Sequence, residues 1–424
     1  MAAISAEGLF KVFGRRPDEA VRRLQDGAPR SEVVQAGATP AVIDASFEVE
    51  PGEIFVVMGL SGSGKSTLIR MLNGLLPPTA GHVYVGDEDI AGLSPVDLRK
   101  VRQQKISMVF QHFALLPHRT VLQNAQYALH VQGVDKADAN IKAREALDMV
   151  GLTDWADKFP SQLSGGMKQR VGLARALASG TDIMLMDEAF SALDPLIRRG
   201  MQEQLVELQQ KLGKTVVFIT HDLNEAMYIG DRIAVMRDGR IVQIGTAEEI
   251  LNDPANEYVA KFVADVDRTR VLTAGTVMEQ AHSVVPLSAG PRGALHTMRE
   301  NQASASFVVN RERRLVGLVH DTDAVNASKR GESDLAAVMK SDVASVTEDT
   351  VLAELFAPSV ESPLPLAVVD DEGRLSGVIP RVTLLQTMAG VAAEADSANT
   401  IDVDGNGAAA ETDSNAPDTP EVAL

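Results

Sequence analysis

The segment Gly59–Thr67 constrains the fold of this chain more than any other part of its sequence. It reads Gly-Leu-Ser-Gly-Ser-Gly-Lys-Ser-Thr, follows the apolar run Ile54–Met58 and precedes a helical pattern at Leu68–Leu76. Its glycines let the backbone curl until successive amide groups point inward at phosphate oxygens. The helix that follows adds the positive end of its dipole. A strand, this loop and a helix in that order predict a phosphate-binding site in an α/β fold.

The loop also supplies the side chains that a magnesium–nucleotide complex requires. We expect Lys65 to reach the β- and γ-phosphates and the Ser66 hydroxyl to bind Mg²⁺. A glycine-rich strand-to-helix turn without a ligand is the alternative, and the flanking strand and helix disfavour it. The residues of the loop that we expect to bind the phosphates of the nucleotide are Gly59, Ser61, Gly62, Ser63, Gly64, Lys65, Ser66 and Thr67.

Two acidic residues, Asp187 and Glu188, follow a second buried strand pattern at Ile183–Met186. Ligands of open parallel sheets bind at the carboxyl ends of the strands, which is where these carboxylates lie. We expect Asp187 to be the second protein ligand of Mg²⁺ and Glu188 to accept a proton from an attacking water. An Asp-Glu pair at a solvated strand end is common in isolation, but the phosphate loop in the same chain disfavours that interpretation.

Short apolar runs alternate with longer helical patterns over residues 45–270, which predicts a buried, mainly parallel sheet covered by helices. The polar segment 15–39 contains proline and glycine and reads as an insertion with one or two short helices. The apolar runs are Ile54–Met58, Ile106–Phe110, Ile183–Met186 and Val216–Thr220.

A third element, Leu163–Arg170, has the sequence pattern of a second anion-binding helix start, which concerns the number of chains that form the site. Ser164 is typical of an N-cap, and Gly165 and Gly166 leave amide groups exposed at the start of a helix. Taken alone, this element is only a capped helix. A second anion site in a chain that already has one suggests that two copies share each nucleotide.

Residues 271–390 contain an internal repeat, which predicts a second domain. Residues 307–319 align without gaps with residues 367–379 at an offset of 60. Each copy reads strand, polar turn, strand, helix, and further helical patterns precede them at Gly293–Arg299 and Thr350–Phe356. One copy buries little apolar surface alone, whereas two can pack their sheets together. Chance similarity between two hairpins is the alternative, and the equal offset of apolar and turn positions disfavours it.

Composition and charge exclude several classes of protein. The 424 residues carry a formal net charge of −18 and include no cysteine, which excludes disulfide frameworks and thiolate metal sites. No run approaches the roughly 18–20 apolar residues that cross a bilayer, and the N-terminus lacks the order of a secretory signal. We therefore expect a soluble, intracellular protein that binds no nucleic acid. Residues 391–424 hold eight acidic residues and no basic one, which predicts a disordered acidic tail.

Taken in order, these motifs resemble the ATP-binding subunits of ABC transporters, over about residues 8–265. The resemblance implies a P-loop ABC ATPase domain at 1–270, with a helical subdomain, that uses ATP and Mg²⁺. It also implies a head-to-tail dimer in which ATP lies between the phosphate loop of one copy and the signature of the other. The matching elements are the phosphate loop, Gln111 after a strand, the signature Leu163–Gln169, Asp187-Glu188, Ser191–Asp194 and Thr220–Asp222.

The resemblance assigns roles to individual residues around the nucleotide. Phe13 looks like the aromatic residue that stacks on adenine, with Phe10 as the second choice. Gln111 looks like the residue that contacts Mg²⁺ and senses both the metal and the membrane partner. His221 looks like the residue that holds the γ-phosphate and orients Glu188.

Other implied roles involve partner molecules. Ser164, Gly165 and Gly166 would bind the γ-phosphate from across the dimer, and Asp194 would link the two sites. The helical stretch before the signature would face a membrane-spanning permease, which is a separate polypeptide, and a solute-binding protein would act indirectly. The resemblance therefore places the chain peripherally on the cytoplasmic face of the plasma membrane.

Further features are similar to one branch of the family, the glycine betaine/proline (quaternary-amine) uptake systems. Most family members carry proline after the catalytic glutamate, whereas Ala-Phe follows Glu188 here. The run Met186–Arg198, the 15–39 insertion and the repeat are all similar to this branch. The repeat looks like a tandem pair of CBS modules, about 276–330 and 339–388, which in this branch regulates transport in response to osmotic conditions.

The CBS pair departs from the nucleotide-binding form of such modules. That form carries Thr or Ser, and then Asp, after the second strand of each copy. This chain has His320 and Asp323 in the first copy, and Pro380 and Thr383 in the second. The departure argues against an adenosine-type ligand and leaves Asp323 as the one residue at these positions that matches the nucleotide-binding form.

A basic edge in the first copy is a candidate regulatory surface. It is formed by Arg311, Arg313 and Arg314. A solvated hairpin turn is one interpretation, and a contact with anionic lipid or the acidic tail is the other. Such a contact would weaken with salt, because the Debye length falls from ~10 Å at 0.1 M to ~3 Å at 1 M.

Three other functions stay open at the level of sequence. The first is uptake of another solute, such as choline, carnitine or an amino acid, because the solute assignment is analogy alone. The second is a non-transport ABC ATPase of DNA repair or translation, although such proteins normally carry two ATPase units or a nucleic-acid module. The third is a binding-only adenylate sensor, which the complete hydrolytic set disfavours.

Overall fold

The structure is a computed structural model, and no helix of its described residues is both long and apolar enough to cross a membrane. The predicted acidic tail, 391–424, lies outside the described residues. The described residues are 1–111, 114–264, 266, 268–361 and 364–387.

Up to residue 264, the described chain forms strands β1 to β10 and helices α1 to α12. The strands are β1 (Ile4–Gly14), β2 (Ala38–Val49), β3 (Ile54–Met58), β4 (Ala80–Val85), β5 (Glu88–Asp89), β6 (Ile106–Phe110), β7 (Ile183–Asp187), β8 (Thr215–Thr220), β9 (Arg232–Arg237) and β10 (Arg240–Gly245). The helices are α1 (Pro17–Gln25), α2 (Arg30–Gln35), α3 (Lys65–Leu72), α4 (Pro95–Gln104), α5 (Val121–Ala125), α6 (Tyr127–Gln132), α7 (Lys136–Met149), α8 (Gly165–Ala178), α9 (Pro195–Leu212), α10 (Leu223–Ile229), α11 (Ala247–Asn252) and α12 (Glu257–Val263). Short 3₁₀ helices lie at Thr153–Trp155 and Pro160–Gln162.

A six-stranded sheet in the order β10-β9-β3-β8-β7-β6 carries the predicted site. Its strands run parallel except for β10, which confirms the predicted α/β class. Strands β3, β7 and β8 are buried at every residue, and strands covered on both faces read as continuous apolar runs. β3 and β6 have the predicted bounds. β7 extends one residue further, to Asp187, and β8 begins one residue earlier, at Thr215.

Alternate residues of β3 face two different cores. Phe55 and Val57 pack against α3 and the antiparallel sheet β2-β1-β4-β5, where Phe47 stacks on Phe55 with ring centroids 5.1 Å apart. Val56 and Met58 join the core on the other face, which includes residues of α8, α9 and α10. The insertion forms α1 and α2, whose apolar residues share a smaller core with β1 and β2. The phosphate loop therefore starts from a strand that is fixed on both faces.

Helices α5 to α8 form a helical unit beside the parallel sheet. Ala139, Ala143 and Ala146 are buried on α7 and lie on one helical face, where small side chains allow α8 to pack closely. α8 begins after Ser164 and ends at Ala178, shortly before β7. The helical unit therefore holds the predicted signature at the far end of the helix that leads into β7.

The second part of the chain contains strands β11 to β16 and helices α13 to α16. The strands are β11 (Val284–Pro286), β12 (Ala305–Val309), β13 (Leu315–His320), β14 (Ser345–Thr347), β15 (Leu366–Val369) and β16 (Leu375–Ile379). The helices are α13 (Ala274–Val277), α14 (Gly290–Glu300), α15 (Asp321–Arg330) and α16 (Phe356–Glu361), with a further helix at 381–387. Short 3₁₀ helices lie at Arg268–Arg270, Leu287–Ala289 and Leu352–Leu355.

The two copies of the repeat form two sheets of the same design, β11-β12-β13 and β14-β15-β16. In each, a parallel pair is followed by an antiparallel hairpin, and the hairpin register shifts at the equivalent residue, Val309 or Val369. Phe307 and Leu318 of the first copy share a core with Ala367 of the second. The expectation that each copy needs the other to bury its apolar face agrees with this shared core.

The two hairpin turns are built alike but differ at one residue. The Asn310 and Asp370 side chains each accept two backbone N–H groups of their own turn. Arg313 and Gly373 then occupy equivalent places with φ of +64° and +78°. This left-handed region suits glycine and strains other residues, so the second turn meets the backbone requirement and the first does not.

We expect Gly373→Ala to lower the local stability of the β15–β16 hairpin by about 1 kcal/mol, because alanine is strained at this φ. Arg313→Ala is the matched control, since a non-glycine residue already occupies that place, and it should cost less than about 0.5 kcal/mol. Native-state hydrogen exchange of the hairpin amides measures both effects. Equal losses in the two variants would show that the strain argument does not hold.

Candidate active site

The predicted site residues lie where neighbouring parallel strands end. Strands β3, β8, β7 and β6 are paired in this order, so the residues that follow them emerge along one edge of the sheet. Those residues are Gly59, His221, Glu188 and Gln111, respectively.

Backbone packing sets the shape of the phosphate loop. Gly59, Gly62 and Gly64 have φ of +153°, +81° and +108°, a region that favours glycine. A Cβ at Gly59 would lie 2.2 Å from the Met236 carbonyl oxygen, and one at Gly64 would lie 2.1 Å from that of Ala41. A Cβ at Gly62 would meet no described atom within 4 Å. The loop is therefore closed against the protein on one side and open on the other, as a phosphate cradle requires.

Lys65 lies at the start of α3, almost fully buried beneath the loop. Its Nζ donates to the carbonyl oxygens of Gly59 (2.7 Å) and Leu60 (3.1 Å). Burial lowers the pKa of the Lys65 ammonium, and the charges of Glu188 and Asp187 oppose that shift. An ammonium has three donors, so these two bonds leave one donor for an anion held by the loop.

Ser66 and Asp187 form a pair of oxygen ligands beside the loop. Ser66 Oγ donates to Asp187 Oδ1 at 3.0 Å, and Arg70 Nη2 lies 3.9 Å from Asp187 Oδ2. Burial raises the pKa of the Asp187 carboxyl, while the Ser66 hydrogen bond and the Arg70 charge lower it. Mg²⁺ binds oxygen ligands and takes few of them from protein, so a hydroxyl beside a carboxylate suits it.

Ser63 gives an independent sign that the loop accommodates a polar ligand. Its Oγ is buried and has no hydrogen-bond partner within the described part of the chain. Buried hydroxyls without a partner are uncommon in native structures, and a phosphate oxygen would satisfy this one. The residues present therefore fit a magnesium–nucleotide complex.

Gln111, Glu188 and His221 meet at one carboxylate oxygen. Gln111 Nε2 lies 3.2 Å from Glu188 Oε2, and His221 Nδ1 lies 3.2 Å from the same atom. Glu188 has φ of +45°, which is strained for a non-glycine residue and is typical of functional positions. The structure therefore brings together three side chains that come from separate parts of the sequence.

The signature lies apart from the phosphate loop of its own chain. Ser164 caps α8 by accepting from the Met167 N–H at 3.3 Å, and no hydrogen bond of the described residues joins the signature to the loop. A Cβ at Gly166 would lie 2.6 Å from Ile197 Cγ2. The signature therefore adjoins the start of α9, where Asp194 is the N-cap and accepts from the Ile197 N–H at 3.1 Å.

The structure distinguishes the two candidates for stacking on adenine. Phe13 lies near the end of β1 with 41% of its surface exposed, and Lys11 Nζ lies 5.4 Å from its ring centroid. Phe10 is 3% exposed and belongs to the core beneath the insertion. Only Phe13 of the pair offers an accessible ring face, which favours the first choice.

A cleft opens next to Gln111, between the parallel sheet and the helical unit. It has a volume of about 390 Å³, and its walls combine apolar and aromatic side chains with several polar ones and two arginines, Arg102 and Arg175. Tyr127 and Val131 on α6 are 40% and 46% exposed there. The lining includes Met108 and Phe110 of β6, Tyr127 and Val131 of α6 and Arg175 of α8.

Sequence reasoning assigned no role to Arg198, which contacts two of the predicted motifs. It donates to backbone carbonyls in the Ser191–Asp194 segment and to the carboxylate of Asp222. Its position four residues after the N-cap Asp194 was the only available signal, because a residue there lies above the N-cap on the same helical face.

The candidate regulatory residues lie at two places in the CBS pair. Arg314 pairs with Glu312 at 3.3 Å on the first hairpin turn, beside Arg313. His320 lines a cavity of about 510 Å³ that also involves Lys340 and segments of the second copy. Asp323 lies in the first turn of α15 and does not line this cavity. The polar candidate from the sequence and the described cavity therefore do not coincide.

Sequence models of two families match the chain: ABC transporter over residues 42–191, and CBS domain over 274–330 and 334–390. The glycine betaine transport ATP-binding protein OpuAA of Bacillus subtilis is 51% identical over 390 residues, covering 91% of this chain and 92% of that protein. The glycine betaine/carnitine transport ATP-binding protein GbuA of Listeria monocytogenes is 49% identical over 391 residues, covering 92% of this chain and 98% of that protein. A solved structure, CbiO1 from Clostridium perfringens, part of the ABC transporter complex CbiONQ, matches with a TM-score of 0.51 and 25% identity, covering 62% of this chain and 93% of its own.

Proposed function

This chain belongs to the glycine betaine transport ATP-binding proteins of the ABC transporter family, and from that premise we propose that it hydrolyses ATP to drive uptake of a compatible solute. The solute is glycine betaine or a related quaternary amine, in keeping with the names of its relatives. The observation that carries the ATPase assignment is the meeting of Gln111, Glu188 and His221 beside the phosphate loop. A site that only bound nucleotide would not need a carboxylate oriented in this way.

The loop and two oxygen ligands bind the substrate. Inward-facing amides and the Lys65 ammonium hold the phosphates, and Ser66 and Asp187 hold Mg²⁺. When bound, the metal offsets the negative charge that develops on the phosphate oxygens during transfer. The exposed ring of Phe13 stacks on the adenine.

Glu188 accepts the proton of the water that attacks the γ-phosphate. Gln111 donates a hydrogen bond to one carboxylate oxygen, and His221 Nδ1 lies 3.2 Å from the same oxygen, which leaves the other oxygen to orient the water. A general base positioned in this way contributes roughly 10²–10⁴-fold to the rate.

A second copy of the chain completes each site. The signature presents the amide groups of Gly165 and Gly166 at a helix start, and such groups bind anions. The phosphate loop of the same chain does not supply that anion, so the γ-phosphate held by a second copy is the fitting ligand. In a twofold arrangement each chain lends a phosphate loop to one site and a signature to the other, and Asp194 lies beside the signature to link them.

The cleft beside Gln111 is where a membrane-spanning permease would bind. Its exposed Tyr127 and Val131 offer the aromatic and apolar surface that protein interfaces favour. Gln111 follows β6, which forms one wall of the cleft, and also contacts Glu188. Binding of the permease would therefore reach the proposed base through one residue, on the cytoplasmic face of the membrane.

The CBS pair regulates this activity through ionic strength. The basic edge of Arg311, Arg313 and Arg314 lies on an exposed turn, in a chain whose net charge is −18. Attraction between this turn and an anionic surface weakens as salt screens it. The retained strain at Arg313 favours a role for its side chain, because the backbone alone would be better served by glycine.

Glu188→Gln should leave ATP binding within about twofold of wild type and lower the rate of hydrolysis by roughly 10²-fold or more. The amide keeps the size of the side chain but accepts no proton at neutral pH. Phosphate release by the purified protein and titration with a fluorescent ATP analogue measure the two quantities. Turnover near the wild-type rate would show that another group is the base.

Uptake measured in vesicles containing the chain and its membrane subunits tests the transport assignment. We expect ATP-dependent uptake of labelled glycine betaine, with unlabelled betaine competing better than proline, choline or carnitine. Stronger competition by choline or carnitine would reassign the solute within the quaternary amines. Stronger competition by an amino acid, or no ATP-dependent uptake, would contradict the assignment.

Reversal of Arg311, Arg313 and Arg314 to glutamate should shift the KCl concentration that half-activates ATP hydrolysis by the assembled transporter. The three glutamates would repel the anionic surface that the arginines attract, so less salt is needed to release the turn and the half-activating KCl concentration should fall. The matched control reverses three exposed arginines elsewhere in the CBS pair, Arg292, Arg299 and Arg381, and changes the net charge equally. An unchanged half-activating KCl concentration in the first variant, or an equal shift in both variants, would contradict regulation through the basic edge.

A further inference from the structure

Arg198 joins two parts of the active site that are far apart in the sequence. It lies in the first turn of α9, four residues after Asp194. Its Nη2 donates to the backbone carbonyl oxygens of Ser191 at 3.5 Å and Leu193 at 3.1 Å. Its Nη1 donates to Asp222 Oδ2 at 3.1 Å, and the two paired side chains are 27% and 32% exposed. One guanidinium therefore bonds a backbone turn and a carboxylate at the same time.

The carbonyl groups that Arg198 binds belong to the turn 188–194, which starts at the proposed base. Ser191 Oγ donates to the Glu188 carbonyl oxygen at 2.9 Å and lies 3.4 Å from Gln111 Nε2. Because Glu188 has a strained positive φ, the surrounding contacts must hold it there. Arg198 supplies two of those contacts from outside the turn.

The carboxylate that Arg198 binds belongs to Asp222, which directly follows His221 and caps α10. Asp222 Oδ1 accepts from the Glu225 N–H at 3.2 Å, which leaves Oδ2 for the arginine. A second contact ties the same helices together, because Gln202 Nε2 of α9 donates to Glu225 Oε1 at 3.0 Å and both side chains are buried. These two contacts therefore fix the start of α10, and with it His221, relative to α9.

We propose that Arg198 is a positioning residue for ATP hydrolysis, which ties the turn 188–194 to the start of α10. It keeps Glu188, Asp194 and His221 in one relative placement. The proposal rests on the catalytic roles proposed above for Glu188 and His221. Arginine suits this task because its planar group donates in several fixed directions, whereas lysine presents one compact ammonium.

Kinetics of the full-length chain at varied MgATP concentrations test the proposal. We expect Arg198→Gln to lower kcat at least tenfold, while KM and the affinity for a fluorescent ATP analogue stay within twofold of wild type. The phosphate loop makes no contact with Arg198 among the described residues, so binding should be spared. Arg198→Lys should recover part of the loss, because it keeps the charge but not the fork.

The neighbouring residue on the same helix provides a matched control. Arg199 Nε contacts Glu203 at 3.1 Å, and its guanidinium lies 5.2 Å from the Tyr228 ring centroid, on the surface. Arg199→Gln removes the same charge from α9, and we expect its kcat within twofold of wild type. An equal loss in both variants would mean that the charge of the helix matters, not the contacts of Arg198.

A double variant tests whether Arg198 and Asp222 act together. Asp222→Asn keeps the oxygen that caps α10 and removes the charge that pairs with Arg198, and we expect it to lower kcat with KM unchanged. The combined Arg198→Gln and Asp222→Asn variant should be no more than twofold slower than the slower single variant. Losses that multiply would show that the two residues act independently and would overturn the proposal.

Two further measurements separate the ways in which the proposal can fail. Thermal unfolding shows whether Arg198→Gln folds, and if it does not, Arg198→Lys and Asp222→Asn carry the test by the same kcat criterion. Glu188→Gln is the reference variant. If it hydrolyses ATP like wild type, the catalytic roles are wrong irrespective of Arg198. If it is inactive while Arg198→Gln keeps the wild-type kcat, only the positioning role is wrong.

Discussion

The in-register endings of parallel strands are the constraint on which the whole site depends. Met58 pairs with Thr220, and Asp187 pairs with Ile219 on one side and Phe110 on the other. A slip of one residue would turn every side chain of a strand to the opposite face, and in a sheet packed on both faces such a slip would disrupt two cores. The phosphate loop, the proposed base, the glutamine and the histidine therefore emerge side by side, although long stretches of sequence separate them.

Strands and loops that a short run of sequence specifies could be predicted, whereas contacts between side chains of distant segments could not. Short, continuous apolar runs that end at turn or catalytic-type residues have few other interpretations, so the bounds of β3 and β6 agree with the sequence pattern. α3 begins at Lys65, three residues before the predicted Leu68, because its polar first turn hides the helical periodicity. The contacts of Arg198 with Ser191 and Asp222 join three separate elements, and nothing in a sequence shows how far a guanidinium reaches.

The proposed division of the site between two chains rests on the surroundings of the signature. α8 carries Ser164 at its start and leads into β7 at its end, and no hydrogen bond of the described residues joins the signature to the phosphate loop. Ser164 and Gly165 are exposed, next to the start of α9 and its N-cap Asp194. If a second copy supplies the signature, as proposed, hydrolysis depends on association, and the link that we propose for Arg198 between Asp194 and Glu188 would also connect the two sites.

Comparison of the two CBS hairpin turns distinguishes contacts that the fold requires from a residue that is present in one copy only. Asn310 and Asp370 accept the same backbone groups in both turns, so this feature serves the fold alone. At the next equivalent place, Gly373 meets the backbone requirement while Arg313 bears a strain of roughly 1 kcal/mol. A non-glycine residue that costs stability at a place suited to glycine favours a role for its side chain rather than for the turn that it closes. The difference between the two turns therefore supports the proposal that regulation involves the basic edge of the first copy, while the second copy shares the core between the two sheets.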